Sequence, residues 1–302
     1  ETNFFNMKAF YARIKEKRRI NMEYKTLNNG VEIPKLGFGV WQIFDQAECQ
    51  KSVEDALEVG YRLIDTAALY KNEEAVGQAI KASGLKREEI FITTKAWINQ
   101  LGYDETKKAF EESLKKLGTD YLDLYLIHQP YGDTHGAWRA MADLYKEGRI
   151  RAIGVSNFST GRIADFALNT EIVPTLNQIE LHPYKQQNLL RKANAEFGIA
   201  TQAWSPFNQG KDDIFKDVTL NSIAEKYGKT VAQVILRWQL QNDILTIPKS
   251  VHLDRIRQNF KVFDFELSQN DLDTIAKLDR FPNNYGPSES IEQVKRLSGY
   301  KA

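Results

Sequence analysis

The feature that most constrains this chain is a repeated alternation of apolar runs and helix-like segments. Eight times from Leu36 onward, a short apolar run precedes a segment with the apolar spacing of a helix, ending with a helix predicted over 253–260. Strands joined by helices run parallel, because each crossover returns the chain to the starting edge of the sheet. Eight such units in about 250 residues have the size of a closed (β/α)8 barrel.

Segments outside the repeat complete the predicted α/β fold. Two extended runs around Asn29-Gly30 predict an N-terminal β-hairpin, since Asn-Gly is the strongest signal for a two-residue turn. A helix over 269–278 and a tail over 280–302 add to the C-terminal end. The rival fold is a doubly wound open sheet, which usually carries a glycine-rich phosphate turn after its first strand. The sequence has no G-x-G-x-x-G, so the barrel is favoured.

The first residues differ in composition from the rest. Residues 1–21 are basic, contain no serine and have no apolar stretch typical of a secretory signal. We interpret 1–21 as an extension outside the fold and 22–302 as a single domain, with Met22 as a natural start. The alternative is a basic tail that contacts a membrane or RNA.

Charge and cysteine content exclude several classes of protein. The 302 residues include 41 Lys+Arg and 40 Asp+Glu, so no overall field attracts nucleic acid or an anionic membrane. A single cysteine, Cys49, excludes a disulfide framework and a cysteine-based zinc site. The histidines lack metal-ligand spacing, and no run of eighteen apolar residues occurs. These observations predict a cytoplasmic protein with no metal, nucleic-acid or membrane partner.

Polar side chains follow the predicted strands where the barrel carries its chemistry, at their carboxyl ends. Any one of them has a structural explanation, such as an N-cap for Asp65 or a packed core histidine for His128. Seven strands ending this way are harder to explain, and their ends meet at one mouth. The residues concerned are Asp65, Lys95, His128, Ser156-Asn157, Gln178 with Glu180, Trp204-Ser205 and Lys249-Ser250.

Four of the groups near this mouth suit the reduction of a carbonyl. A lysine paired with an aspartate beside Tyr70 is expected to lower the pKa of the phenol from about 10. A phenol tuned in this way protonates a forming alkoxide near neutral pH. A neutral His128 polarises the same oxygen. The set of Asp65, Tyr70, Lys95 and His128 therefore predicts hydride transfer from a nicotinamide with the proton supplied by the protein.

Six motifs give the chain from about Tyr24 to Tyr285 a specific resemblance. They are Leu36–Trp41, Gly60–Glu73, Thr94–Trp97, Leu126–Pro130, Gly154–Phe158 and Ile247–Ser250. In order and spacing, they resemble those of aldo-keto reductases, and most closely the microbial group similar to 2,5-diketogluconate and methylglyoxal reductases. The resemblance implies a catalytic tetrad of Tyr70, Asp65, Lys95 and His128, with Tyr70 as the proton donor.

The resemblance also implies NADPH as the cofactor. Ser156, Asn157 and Gln178 would bind the nicotinamide carboxamide, and Trp204 would stack on the ring, next to a turn at Ser205. At the other end, two cations and a hydroxyl match the family's clamp for an adenosine 2′-phosphate. The residues of this end are Lys249, Ser250 and Arg255, with Asn259 at the adenine. Relatives often have Glu at the position of Gln258, so that contact stays open.

The implied substrate is a small carbonyl compound. The pocket around Tyr70 would be lined by Trp41, Trp97, His128, Gln129 and Phe207. Gln129 replaces the Trp common in many relatives, and the connection from Pro130 to Gly136 is short. Both features favour a small polar carbonyl over a steroid, with diketo sugar acids and general aldehydes left as alternatives. Members of this family are usually monomers. The rival function is a nicotinamide-binding subunit with little turnover, because the fold resembles channel β subunits.

Overall fold

The computed structural model describes residues 22–281 and 290–302, so the prediction for 1–21 lies outside the described residues. The strands are β1 Tyr24–Thr26, β2 Glu32–Pro34, β3 Phe38–Gly39, β4 Leu63–Asp65, β5 Phe91–Ala96, β6 Leu122–Ile127, β7 Ile150–Ser156, β8 Leu176–Glu180, β9 Ala200–Trp204 and β10 Leu245–Thr246. The helices are α1 Gln46–Val59, α2 Glu73–Ala82, α3 Tyr103–Leu117, α4 Thr134–Lys146, α5 Thr160–Asn169, α6 Asn188–Glu196, α7 Val218–Tyr227, α8 Val231–Gln241, α9 Leu253–Phe260, α10 Gln269–Ala276 and α11 Ile291–Ser298. In the part of the chain described, no helix is both long and apolar enough to cross a membrane.

The eight strands β3 to β10 form one parallel sheet whose spatial order is their order in the sequence. The sheet closes on itself because β3 and β10 also meet. Gly37 N donates to Thr246 O, and Thr246 N donates to Lys35 O, both over 2.8 Å. The predicted (β/α)8 barrel is therefore confirmed, and the chemistry is expected at the carboxyl ends of the strands.

The predicted hairpin is present and covers the amino-terminal end of the barrel. β1 pairs antiparallel with β2, and Leu27 and Ile33 pack against the inward side chains of the barrel. The turn is longer than Asn29-Gly30 alone, because Gly30 N donates to Leu27 O and Leu27 N to Val31 O. Gly30 has φ +85°, so this position is the left-handed one at the end of the turn.

The alternation of side-chain direction along each strand explains why the barrel interior is apolar near the amino-terminal ends of the strands and polar at the mouth. Side chains two residues apart share a face of a strand. Leu63 and Asp65 therefore both point inward, as do Leu176 and Gln178 in β8. The lower member of each pair joins the apolar interior, and the upper member is a buried polar residue at the mouth.

Side-chain caps set where two of the helices begin. α4 starts at Thr134 because Asp133 caps it. The Asp133 carboxylate accepts from Gly136 N over 2.8 Å. Within the C-terminal tail, α11 forms behind Ser290, whose side chain accepts from the backbone of Gln293. The expectation of extra C-terminal helices is confirmed.

A buried carboxylate ties three strands together near the amino-terminal end of the barrel. Asp123 is 1% exposed and forms ion pairs with Arg87 over 2.7 Å and Arg151 over 2.6 Å. It also accepts from Ile92 N over 2.9 Å. Removing this carboxylate would leave a buried N–H and two guanidinium groups without their partner.

We expect Asp123→Ala to lower the free energy of unfolding by about 3 kcal/mol, because a buried charged partner is lost. Urea denaturation measures the change. Lys146→Ala is the control, since its ion pair with Glu171 is largely exposed and should contribute little. Equal stability losses in the two variants would contradict this account of the barrel.

Candidate active site

A cleft of about 1920 Å³ opens at the carboxyl ends of the strands. It extends from the start of α9 across the barrel mouth to the C-terminal segment. Of the predicted site residues, all but Lys95 line it, and Lys95 lies directly beneath it. The strand ends therefore converge on one site, as the sequence predicted.

The centre of this site is a buried ion pair. Lys95 Nζ donates to Asp65 Oδ1 over 2.5 Å, and the two side chains are 0% and 2% exposed. The ammonium also donates to Thr66 O over 2.8 Å and lies 3.5 Å from the hydroxyl of Tyr70. Burial lowers the pKa of Lys95 and raises that of Asp65, and the attraction within the pair opposes both shifts.

Tyr70 reaches the ion pair from a short 3-10 turn, Ala68–Tyr70, that follows β4. Asn72 anchors this turn, because its buried amide donates to Val40 O and Ile43 O over 3.1 Å each. The ring of Tyr70 packs against Trp41, with 4.6 Å between ring centroids. A hydrogen of Lys95 directed at the phenol oxygen leaves the phenol's own hydrogen free for another acceptor.

The expected lowering of the pKa of the Tyr70 phenol is wrong. Burial and the Asp65 carboxylate raise the pKa of Tyr70 well above its usual value of 10.0. The positive charge of Lys95 is already balanced by Asp65 at 2.5 Å, so the phenolate gains little net attraction. Tyr70 is therefore a protonated phenol at neutral pH, which is the form that donates a proton.

His128 faces the same point from the end of β6. Its ring lies 5.5 Å from that of Tyr70 and 4.8 Å from that of Trp97, both in edge contact. Burial and the nearby Lys95 lower the pKa of His128 well below 6.5. The ring is therefore neutral, as predicted, and its buried Nδ1 has no hydrogen-bond partner among the described residues.

Three polar side chains from β7 and β8 form a network opposite Tyr70. Ser156 Oγ donates to Gln178 O over 2.8 Å, and Asn157 Nδ2 donates to His128 O over 3.0 Å. Gln178 Nε2 donates to Asp65 Oδ2 over 2.7 Å. Of the residues that the resemblance assigned to a carboxamide, Asn157 and Gln178 are thus hydrogen-bonded to the proposed tetrad, and Ser156 is hydrogen-bonded to Gln178.

Trp204 ends β9 and Ser205 follows it at the edge of the cleft. Trp204 Nε1 donates to Asn157 Oδ1 over 3.0 Å, which fixes the indole over the mouth. The same bond holds Asn157, whose backbone has a positive φ of 62°. Ser205 also has a positive φ of 54°, consistent with the predicted turn, and its buried Oγ has no partner within the described ranges.

The far end of the cleft is basic. Lys249 and Ser250 follow β10, and Arg255 and Asn259 lie on α9. Ser250 Oγ accepts from His252 N over 3.1 Å, which shapes the turn into the helix. In the described part of the chain, neither Lys249 nor Arg255 forms an ion pair, so both cations are free to meet an anion. The structure brings this predicted set together.

The predicted pocket residues all line the cleft, and Trp41 and His128 contact Tyr70, but the sequence missed one wall. Trp41, Gln129 and Phe207 line the cleft as expected, and Trp97 is almost completely buried. Trp97 Nε1 donates to Tyr300 O over 3.1 Å, so the C-terminal segment covers this side. Other lining residues that were not predicted are Tyr131, Gln293, Arg296, Leu297 and Lys301. No periodicity in the tail signals this placement, because it depends on how the chain returns over the barrel.

Comparison with known proteins agrees with the fold and shows the family. The model of the aldo/keto reductase family matches residues 35–280, and the chain belongs to this family. Glyoxal reductase of Bacillus subtilis is 51% identical over 255 residues, covering 84% of this chain and 92% of that protein. Methylglyoxal reductase DkgA of Escherichia coli is 46% identical over 257 residues, with the same coverage.

Solved structures extend the comparison to geometry. An aldo/keto reductase from Brucella melitensis superposes with a TM-score of 0.82 at 49% identity, covering 85% of this chain and 100% of that one. A Bombyx mori aldo-keto reductase in complex with NADP gives a TM-score of 0.84 at 36% identity, covering 91% and 97%.

The geometry predicts that His128 stays neutral at about pH 6, where an ordinary histidine is largely charged. Burial and Lys95 both disfavour its cationic form. Nitrogen chemical shifts of the imidazole, assigned with a His128→Gln variant, report the charge. A midpoint at or above about 6.5 would contradict the burial and charge assigned to this ring.

Proposed function

We propose that the protein reduces aldehydes and small ketones to alcohols with NADPH, and that Tyr70 donates the proton. The observation that carries this proposal is the position of the Tyr70 hydroxyl, 3.5 Å from Lys95 Nζ in the buried Asp65–Lys95 pair. A neutral His128 lies against the same phenol. Membership of the aldo/keto reductase family supports carbonyl reduction as the class of reaction.

The cleft fits a nicotinamide dinucleotide on several independent grounds. It is large, and its two ends carry different chemistry. The basic end has Lys249 and Arg255, which have no anionic partner among the described residues, and charged groups of this kind bind phosphate strongly. At the other end, the network of Ser156, Asn157 and Gln178 offers hydrogen-bonding groups to a carboxamide, and Trp204 offers a flat ring for stacking.

NADPH, when bound, supplies a hydride to the carbonyl carbon of the substrate. Tyr70 gives its phenolic proton to the carbonyl oxygen, which yields the alcohol and leaves a phenolate. Lys95 Nζ, 3.5 Å from this oxygen, is placed to donate a hydrogen bond to the phenolate, and a proton from solvent restores the phenol. His128, being neutral, orients the carbonyl oxygen without competing as an acid.

The basic end favours NADPH over NADH. Lys249, Ser250 and Arg255 together offer two cations and a hydroxyl, which suit a phosphate dianion better than a ribose hydroxyl. The relatives solved with NADP or NADPH support this assignment.

We expect Arg255→Ala to raise the KM for NADPH roughly tenfold while the KM for NADH changes little, because a charge-assisted contact to the 2′-phosphate is lost. Steady-state kinetics with both cofactors measure the difference. Arg257→Ala is the matched control, since Arg257 is exposed on the same helix and does not line the cleft. An equal effect of Arg255→Ala on both cofactors would show that this end does not read the phosphate.

The substrate we propose is small and polar. Gln129 places an amide in the pocket where many relatives have a Trp side chain. The connection after His128 is short, because α4 begins at Thr134. The reductases of glyoxal and methylglyoxal among the relatives support this class. A keto sugar acid remains the competing substrate within it.

We therefore expect kcat/KM for methylglyoxal to exceed that for a steroid ketone. A bulky apolar substrate would bury apolar surface against the Gln129 amide, which is unfavourable. The short connection from Pro130 to Gly136 also gives it no long loop to pack against. Parallel assays with NADPH at 340 nm measure both constants. Preference for the steroid would contradict the description of this pocket.

Replacing the phenol tests the proposed function itself. We expect Tyr70→Phe to lower kcat by roughly a hundredfold or more, because general acid catalysis is lost, while NADPH still binds. Tyr125→Phe is the control, since this tyrosine is also buried and its hydroxyl has no partner among the described residues. Full turnover in Tyr70→Phe would overturn the assignment. A wild-type protein that binds NADPH and reduces nothing would support the nicotinamide-binding subunit instead.

A further inference from the structure

One buried amide near the tetrad has no part in the function proposed above. Gln202 lies in β9 and is 0% exposed. Its Oε1 accepts from Gln178 Nε2 over 2.7 Å. Its own Nε2 is buried with no hydrogen-bond partner in the described part of the chain. Burying an unpaired amide N–H is costly, so an apolar side chain would serve packing better at this position.

The sheet register sets the two amides side by side. Gln178 and Gln202 are direct partners in the parallel ladder of β8 and β9. Both side chains therefore reach the same level of the barrel, where Asp65 also lies. The contact between them follows from the fold and does not depend on a loop.

The hydrogens of Gln178 Nε2 are both committed. One is donated to Asp65 Oδ2 over 2.7 Å and the other to Gln202 Oε1 over 2.7 Å. Asp65 Oδ1 already accepts from Lys95, so its carboxylate acts as an acceptor here. Turning the Gln178 amide over would place its oxygen against two oxygen atoms, which is repulsive.

The remaining polar atom of Gln178 is its Oε1. Gln178 lines the cleft, and this oxygen accepts no hydrogen bond from any residue that the structure describes. The amide therefore presents an acceptor to the cleft and has no N–H left to donate there. A ligand group that pairs with this oxygen must be a hydrogen-bond donor, and the N–H of a carboxamide is one.

We propose that Gln202 is a positioning residue, which fixes the Gln178 amide so that its oxygen accepts the N–H of the nicotinamide carboxamide. The proposal rests on the proposed cofactor. Gln178 would then contact the carboxamide through Oε1, while its Nε2 contacts Gln202 and Asp65 of the tetrad.

The test uses a cofactor that lacks this N–H. In the 3-acetylpyridine analogue of NADP+, a methyl group replaces the amide nitrogen. We expect the wild-type protein to bind NADP+ roughly threefold to tenfold more tightly than the analogue, the effect of one hydrogen bond. Gln202→Met keeps the length of the side chain and replaces the acceptor with a methyl group, and it should bring the ratio of the two Kd values close to one.

Two controls separate positioning from loss of structure. Gln239→Met removes another buried glutamine with a single polar contact, to Leu181 O, and should keep the wild-type ratio. Adenosine 2′,5′-bisphosphate contacts the basic end alone, so its Kd should be unchanged in Gln202→Met. If methionine prevents folding, Gln202→Thr is too short to reach Gln178 and repeats the test.

The outcomes are distinct. Loss of the preference for NADP+ with unchanged bisphosphate binding supports the role of Gln202. A wild-type ratio in Gln202→Met, parallel weakening of the bisphosphate, or a wild-type protein that does not distinguish NADP+ from the analogue overturns it. A wild-type protein that binds no nicotinamide dinucleotide contradicts the proposed cofactor.

Discussion

The ion pair between Asp65 and Lys95 decides how the rest of the site behaves, because both charges are removed from water at the centre of the barrel mouth. Such burial is tolerated when the remaining polar atoms are satisfied. Thr66 O and Gln178 Nε2 supply those contacts. The two charges neutralise one another, so neighbouring groups experience burial more strongly than either charge. Burial is the largest cause of the raised pKa of Tyr70 and of the lowered pKa of His128, with smaller contributions from Asp65 and Lys95 respectively.

The barrel holds the ion pair between an apolar interior and a polar cleft. Below the pair, inward side chains and the hairpin residues Leu27 and Ile33 form an apolar plug. On the other side of the pair, the cleft has Tyr70 and His128 at one end and the cations Lys249 and Arg255 at the other. The network on β7 and β8 is joined to the ion pair, since Ser156 Oγ donates to Gln178 O and Gln178 Nε2 donates to Asp65 Oδ2.

Much of this arrangement could be predicted from the sequence, because it follows from periodicity. Eight alternations predict the barrel, and inward positions two residues apart place Asp65 and Gln178 at the mouth. The motifs then assign a family to the set. Other features depend on three-dimensional proximity. The raised pKa of Tyr70 comes from burial, the wall formed by Tyr300 comes from the path of the tail, and Gln202 matters only because its ladder partner is Gln178.

The central claim is that burial, together with the Asp65 carboxylate, keeps the pKa of the Tyr70 phenol above its usual value. Carbon NMR of ring-labelled tyrosine, with Tyr70 assigned from the Tyr70→Phe spectrum, measures this directly. The account predicts that the Tyr70 signal shows a protonated phenol up to about pH 10, where an ordinary tyrosine is half ionised. A midpoint below that value in the ligand-free protein would show that Lys95 outweighs burial and would contradict the account.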